Sequence, residues 1–240
     1  MTVRIRRVTT TRSGGVSAPP YDSFNLGDHV GDDPAAVAAN RARLAVAIGL
    51  PADRVVWMNQ THSAHVEVVD GPREQAFDAT DALVTSTPRL ALAVVTADCV
   101  PVLLADARAG VIGAAHAGRV GAANGVVLRT LEAMLALGAH AREVSVLLGP
   151  AVSGPNYEVP AEMAAEVEAT LPGSRTTTSR GTPALDLRAG IARQLHGAGV
   201  TAIEVDPRCT AADPALFSHR RDNPTGRLAS LVWMDAGVER

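Results

Sequence analysis

Residues Leu90–Gly118, LALAVVTADCVPVLLADARAGVIGAAHAG, hold three apolar runs separated by two short turns. The runs LALAVV, VPVLLAD and GVIGAAH are each of strand length. They are rich in valine, leucine and alanine and apolar on both faces, which predicts adjacent strands in a sheet covered on both sides. The first turn carries Asp98 and Cys99, and the third run ends on His116 among alanines and glycines. A thiol and an imidazole are thereby placed at strand ends, where side chains from neighbouring strands converge on one rim.

On the N-terminal side the same pattern continues in RVVWM, HVEVVD and DALVTS, preceded by an opening strand in VRIRRVTTT. Between that strand and the first helix lies RSGGVSAPPYDSFNLGDHVGDD, turn chemistry from end to end, and long ordered loops often carry function. Asp33 followed by Pro34 starts a helix, Val37, Leu44 and Ile48 form its stripe, and Gly49 stops it. On the C-terminal side the spacing predicts helices over about 121–137, ended by Gly138, over 160–171, opened by Pro160, and over 186–197. EVSVLLGP, TAIEVD and LASLVWM read as strands.

Roughly nine strands and four helices result, too many strands in succession for a simple wound βαβ sheet, so a layered α/β sandwich with mixed sheets fits better. No Pro-, Gly- or Ser-rich linker divides the chain, and residues 1–240 are expected to form a single domain.

Composition removes several reaction classes. All 22 Lys and Arg positions are arginine, so a Walker A loop, a pyridoxal phosphate Schiff base and a lysine aldolase are excluded. The formal charge of −3 gives no reason to expect a nucleic-acid partner. The basic N-terminus has no apolar h-region and no long apolar run occurs, which points to a cytoplasmic protein without a membrane segment. Cys99 and Cys209 are then expected to be free thiols.

Among seven histidines, His140 and His196 belong to helix ends, whereas His62 lies in the polar stretch MNQTHSAHVEVV. Alone, Cys99 or His116 reads as a packing residue. Together, His62, Cys99 and His116 admit two chemistries. Both imidazoles and the thiolate can bind one zinc ion and leave a fourth position for water or substrate. Without metal, a histidine can deprotonate Cys99 for attack on an acyl carbon. Asp98 can orient a histidine, position water or cap the turn. A copper oxidase would need a His-Cys-His element and several His-x-His pairs, which the chain lacks, so copper is the poorer match.

Several segments resemble the laccase-domain family, also called the multicopper polyphenol oxidase or YfiH-like family: TTRSGGVS, SFNLGDHVGDD, NQTHSAHV, TADCVPVLLAD, GAAHAG, LLGPAVSGPNYEV and FSHRRDNPTGR. They follow family order over about residues 8–233. The resemblance implies a four-layer αββα sandwich with a zinc site at His62, Cys99 and His116. It further implies phosphorolysis of purine nucleosides, methylthioadenosine included, and adenosine deamination; bacterial members are linked to editing of peptidoglycan precursors. An alternative activity is therefore a cysteine-type amidohydrolase, and the family's name suggests a copper-dependent polyphenol oxidase. One departure is visible: where many members have a tryptophan after His-Ala-Gly, this chain has Arg119.

Nucleoside and phosphate are thus the expected small-molecule partners. Arg12, Arg119, Arg220, Arg221 and Arg227 are candidates to hold phosphate, since the guanidinium fork matches that anion. Asn25 and Gln60 are candidates to hydrogen-bond a purine or ribose, and His219 to form the pocket wall. The bland alternatives are solvated arginines and amides that fix loop turns.

Overall fold

The computed structural model describes residues 2–235. Strands follow in the order β1 (Ile5–Thr9), β2 (Val55–Val56), β3 (Val66–Val68), β4 (Ala82–Thr85), β5 (Ala91–Thr96), β6 (Val100–Asp106), β7 (Val111–Ala117), β8 (Val144–Leu148), β9 (Arg175–Thr177), β10 (Pro183–Leu185), β11 (Ala202–Val205) and β12 (Leu228–Met234). The α-helices are α1 (Pro34–Ile48), α2 (Arg119–Ala123), α3 (Val126–Ala136), α4 (Ala161–Thr170) and α5 (Leu187–Gly197).

The three runs of the opening segment become β5, β6 and β7, but they do not form one sheet. β6 and β7 are an antiparallel pair at the centre of a six-stranded sheet ordered β11-β8-β6-β7-β4-β3, while β5 lies in a four-stranded sheet ordered β1-β12-β5-β2. The TADC turn is therefore the crossing from one sheet to the other. Both sheets are mixed, with β2–β5, β3–β4 and β8–β11 parallel and their other pairs antiparallel.

Side-chain alternation distributes the core over three interfaces. Leu92, Val94, Leu103, Ile112, Val232 and Met234 fill the space between the sheets. Ala91, Ala93, Val95, Leu231 and Trp233, one residue out of phase, meet Leu44 and Ala45 of α1. Val102, Leu104 and Ala115 face the other way, onto Val127, Leu131 and Met134 of α3 and Leu187, Ile191 and Leu195 of α5. The order is helix, sheet, sheet, helix: a four-layer α/β sandwich. Each fully buried leucine or isoleucine contributes about 1.5–3 kcal/mol, and Leu103 and Ile112 are fully buried between the sheets.

α1 begins as its sequence predicts, with the Asp33 carboxylate accepting from the Ala35 N–H at 2.9 Å and Gly49 closing the last turn at φ 72°. The single helix expected over 121–137 is in fact two, α2 and α3, because Gly125 takes φ 82° and breaks the ladder. β9 and β10 form a small antiparallel hairpin absent from the sequence reading; each is only three residues long and β9 is largely polar, so no apolar period marks them. Among the described residues no helix is long and apolar enough to cross a membrane.

Candidate metal centre

Two connections and one strand end deliver three side chains to the rim where the sheets meet. Cys99 sits in the β5–β6 turn, whose sharp reversal is made by Asp98 at φ 97°. His116 is the penultimate residue of β7, in register with Pro101 of β6. His62 lies in the loop before β3, itself in the left-handed region at φ 61°. The donor atoms of His62, Cys99 and His116 all lie within 4.8 Å of one another. Cys99 Sγ is 3.7 Å from His62 Nε2, and the two imidazoles meet edge-on with centroids 4.7 Å apart. Cys99 and Cys209 are both free thiols.

The cluster is held from behind by Asp81, which directly precedes β4 and is completely buried. Its Oδ1 accepts from the His62 N–H at 3.0 Å and lies 2.8 Å from His116 Nδ1; its Oδ2 accepts from the N–H groups of Thr61 and Ser63 and from the Ser63 hydroxyl. One carboxylate thus shapes the His62 loop and orients the His116 ring. With Nδ1 engaged by Asp81, Nε2 of His116 is the nitrogen left for the cluster. Burial pushes the Asp81 carboxyl up, but the bonds from His116 and Ser63 outweigh it and the group stays well below the usual carboxylate range.

Charge is organised in the same way at the thiol. Burial pushes Cys99 up, yet the positive potential of His116 and then His62 reverses this and holds it at about 6. Burial pushes His116 down, and the Cys99 thiolate followed by Asp81 raises it to about 9. Each group thus favours the charged form of the other, and without metal the geometry supports a thiolate–imidazolium pair.

The donor set suits a metal ion. Two imidazole nitrogens and a thiolate are borderline-soft ligands, and tetrahedral coordination at 2.0–2.3 Å separates ligand atoms by about 3.5 Å, close to the 3.7 Å between Cys99 Sγ and His62 Nε2. Gly118 makes room for this convergence: a Cβ there would lie 2.5 Å from His62 Cδ2 and 3.0 Å from Cys99 Sγ.

The cluster opens onto a cavity of about 790 Å³. His62, Cys99, His116, Asp98, Gln60, Arg119, His219 and Arg220 all line it, together with Arg227. Two of these are engaged elsewhere. The Asp98 carboxylate accepts from the Thr210 and Ser218 hydroxyls and the Arg220 N–H, each at 2.6 Å, so it pins the 209–220 segment beneath the cavity. The Gln60 amide pairs with both backbone groups of Val95 at 2.8 Å.

Arg12, Asn25 and Arg221 do not reach the cavity wall. Arg12 lies over the Phe217 ring and pairs with Asp22 and Asp222. Asn25 is buried and ties Gly27, Asp32 and the Arg227 N–H together. Arg221 donates to the carbonyls of Thr210, Asp213 and Leu216. Two further residues, Asp81 and the cavity-lining Tyr157, are not among those the sequence leads one to expect. Asp81 carried one usable signal, a charged residue directly before an apolar strand, where its β4 neighbour Ala82 pairs with Ala115 beside His116. Tyr157 carried none, since its loop is positioned only by the tertiary fold.

The family model described as multi-copper polyphenol oxidoreductase laccase matches residues 6–235. A protein of Mycobacterium tuberculosis named purine nucleoside phosphorylase is 76% identical over 235 residues, covering 98% of this chain and 94% of its own length. A Corynebacterium glutamicum protein of the same name is 59% identical over 232 residues, covering 96% and 94%. The crystal structure of the Bacillus licheniformis hypothetical protein YfiH superposes with a TM-score of 0.90 at 32% identity, covering 96% of this chain and 93% of that one. With its sandwich fold and its convergent His-Cys-His cluster, the chain belongs to the multi-copper polyphenol oxidoreductase laccase family, the YfiH-like proteins.

Proposed function

We propose that the protein is a zinc-dependent purine nucleoside phosphorylase, with adenosine deamination as a second activity of the same pocket. The carrying observation is the His62–Cys99–His116 cluster opening directly onto a 790 Å³ cavity that Arg227 also lines; the names of the mycobacterial and corynebacterial relatives support the reaction class. One sulfur and two nitrogens in a single cluster favour zinc over the several copper ions of an oxidase. Bound zinc would supply Lewis-acid polarisation at this end of the pocket.

The chain's own residues account for the remainder. Asp81 fixes the His116 ring and the His62 loop, so the cluster needs little reorganisation on binding. Arg227 is half-buried and its guanidinium is pushed down chiefly by burial, with no carboxylate partner among the described residues, so an inorganic phosphate gains more there than at a solvated arginine. Phosphorolysis breaks the N-glycosidic bond, forms a bond from C1 of the pentose to a phosphate oxygen, and returns a proton to the base. Deamination replaces the purine amino group by oxygen from water and releases ammonia.

The test is metal analysis joined to a panel of adenosine, inosine, guanosine and methylthioadenosine assayed with and without phosphate. Stoichiometric zinc and phosphate-dependent release of free base are expected; ammonia release from adenosine without phosphate reports deamination. Absence of zinc, with turnover unchanged in Cys99→Ala, rejects the reading.

A second reading follows from the thiolate–imidazolium pair: in metal-free protein, Cys99 and His116 have the charges of a cysteine amidohydrolase acting on a cell-wall precursor. An electrophilic amide analogue that labels Cys99 in chelator-treated protein, with peptide-amide turnover retained, would favour it. Turnover lost on chelation counts against it.

A further inference from the structure

The cavity holds more positive charge than one inorganic phosphate calls for. Arg119, Arg220 and Arg227 all line it, and among the described residues none of the three is within 4.0 Å of a carboxylate. Arginines just outside the cavity behave differently: Arg12 pairs with Asp22 and Arg221 with Asp222. The acidic groups near the three are already taken. Asp98 is held by Thr210, Ser218 and the Arg220 N–H, and Glu158, which follows Tyr157, is held by Arg180 at 2.7 Å.

The three guanidiniums fall into two groups. Arg227 faces the charges of Cys99 and Asp98. Arg220 stacks on Tyr157, 5.1 Å from the ring centre, and Arg119 bears electrostatically on the same phenol. Arg119, Tyr157 and Arg220 all line the one cavity, where a single anion can be gripped by two forks. Space is available as well: about 790 Å³ lies in the upper part of the ~300–1,000 Å³ that small-molecule sites span, leaving volume beyond a base and its sugar.

We infer that Arg119 and Arg220, set about Tyr157, form a subsite for a phosphate group carried by the nucleoside itself, so that the preferred substrate class is a nucleoside monophosphate. This rests on the nucleoside reading of the pocket and extends it. Phosphorolysis of such a substrate breaks the same N-glycosidic bond, joins C1 of the pentose to inorganic phosphate, and yields the free base, reprotonated on nitrogen, with a pentose 1,5-bisphosphate. No further reactant is required.

The test is calorimetric titration of the full-length, zinc-loaded protein with a 6-oxopurine C-nucleoside, whose carbon–carbon glycosidic bond cannot be phosphorolysed, and with its 5′-monophosphate, each without and with saturating inorganic phosphate. The expected result is binding of the monophosphate about tenfold tighter than the nucleoside, persisting in saturating phosphate because the two anions occupy different places. Arg119→Gln and Arg220→Gln should each cut that preference about fivefold, with unchanged melting temperatures showing that both variants fold. An advantage that vanishes in saturating phosphate would mean one shared anion site and would overturn the inference, as would equal binding of the two ligands. If adenosine is not phosphorolysed but the monophosphate still binds about tenfold tighter through both arginines, the subsite stands and the phosphorylase reading falls.

Discussion

His116 Nδ1 and Asp81 Oδ1 lie 2.8 Å apart in the buried interior, and the same Oδ1 accepts the backbone N–H of His62. A single oxygen thereby sets the angle between two of the three potential metal ligands.

Replacing that oxygen is expected to loosen the metal before it abolishes the fold. Asp81→Asn keeps the volume, but its amide cannot accept from Nδ1–H, the Thr61, His62 and Ser63 N–H groups and the Ser63 hydroxyl together. Chelator competition should show zinc affinity about 10–100-fold weaker, with a lowered melting temperature because buried donors lose their acceptor. Unchanged zinc affinity would remove Asp81 from its positioning role.

Gly118→Ala tests convergence by sterics alone. The backbone angle at Gly118, φ −72°, accepts any residue, so the only obstacle is the added Cβ, 2.5 Å from His62 Cδ2 and 3.0 Å from Cys99 Sγ. Zinc stoichiometry should fall well below one per chain while far-UV circular dichroism stays native. Full occupancy in the variant would show that the cluster can expand at little cost.

In metal-free protein, Cys99 should react with iodoacetamide with a midpoint near pH 6, and His116→Gln should move that midpoint upward. The pair's effect on stability has two opposed parts. The thiolate, lowered from 9.0 to about 6, contributes stability that is complete above pH 9 and lost as pH falls through 6. The imidazolium, raised from 6.5 to about 9, contributes stability that is complete below pH 6.5 and lost as pH rises through 9. Between pH 6.5 and 9 folded and unfolded chains hold the same number of protons on this pair, so it adds no slope to stability there. Denaturant unfolding of the wild-type chain and of a Cys99→Ala, His116→Gln double variant should therefore give the same pH slope across that window.

Asp98 separates two roles. A group that moves protons in the reaction should lose kcat on Asp98→Asn; a group that pins the 209–220 segment through Thr210, Ser218 and the Arg220 N–H should instead raise KM, roughly tenfold, with zinc content unchanged. The geometry favours the second outcome, since the carboxylate already accepts three short hydrogen bonds. Steady-state kinetics with adenosine decides between them.

Much of this protein is local in origin and therefore readable along the chain. α1 follows from Asp33, Pro34 and Gly49, and β5, β6 and β7 follow from apolar runs that only a doubly covered sheet can bury. His62, Cys99 and His116 stand out because each falls near the junction of a strand with a polar or Gly-rich turn. What the tertiary structure decided is everything that depends on pairing between distant strands. The TADC turn crosses between sheets rather than closing a hairpin, because β5 finds its partners in β12 and β2. Asp81 becomes the support of the cluster only because β4 lies beside β7, which sets it against His116 across 35 positions of sequence. Arg12 and Arg221 are drawn into loop scaffolding while Arg119, Arg220 and Arg227 are left without carboxylates at the cavity. Arginine's chemistry is the same at all five positions; the carboxylates and carbonyls that the fold places around Arg12 and Arg221 take up their guanidiniums, whereas no carboxylate lies beside the three at the cavity.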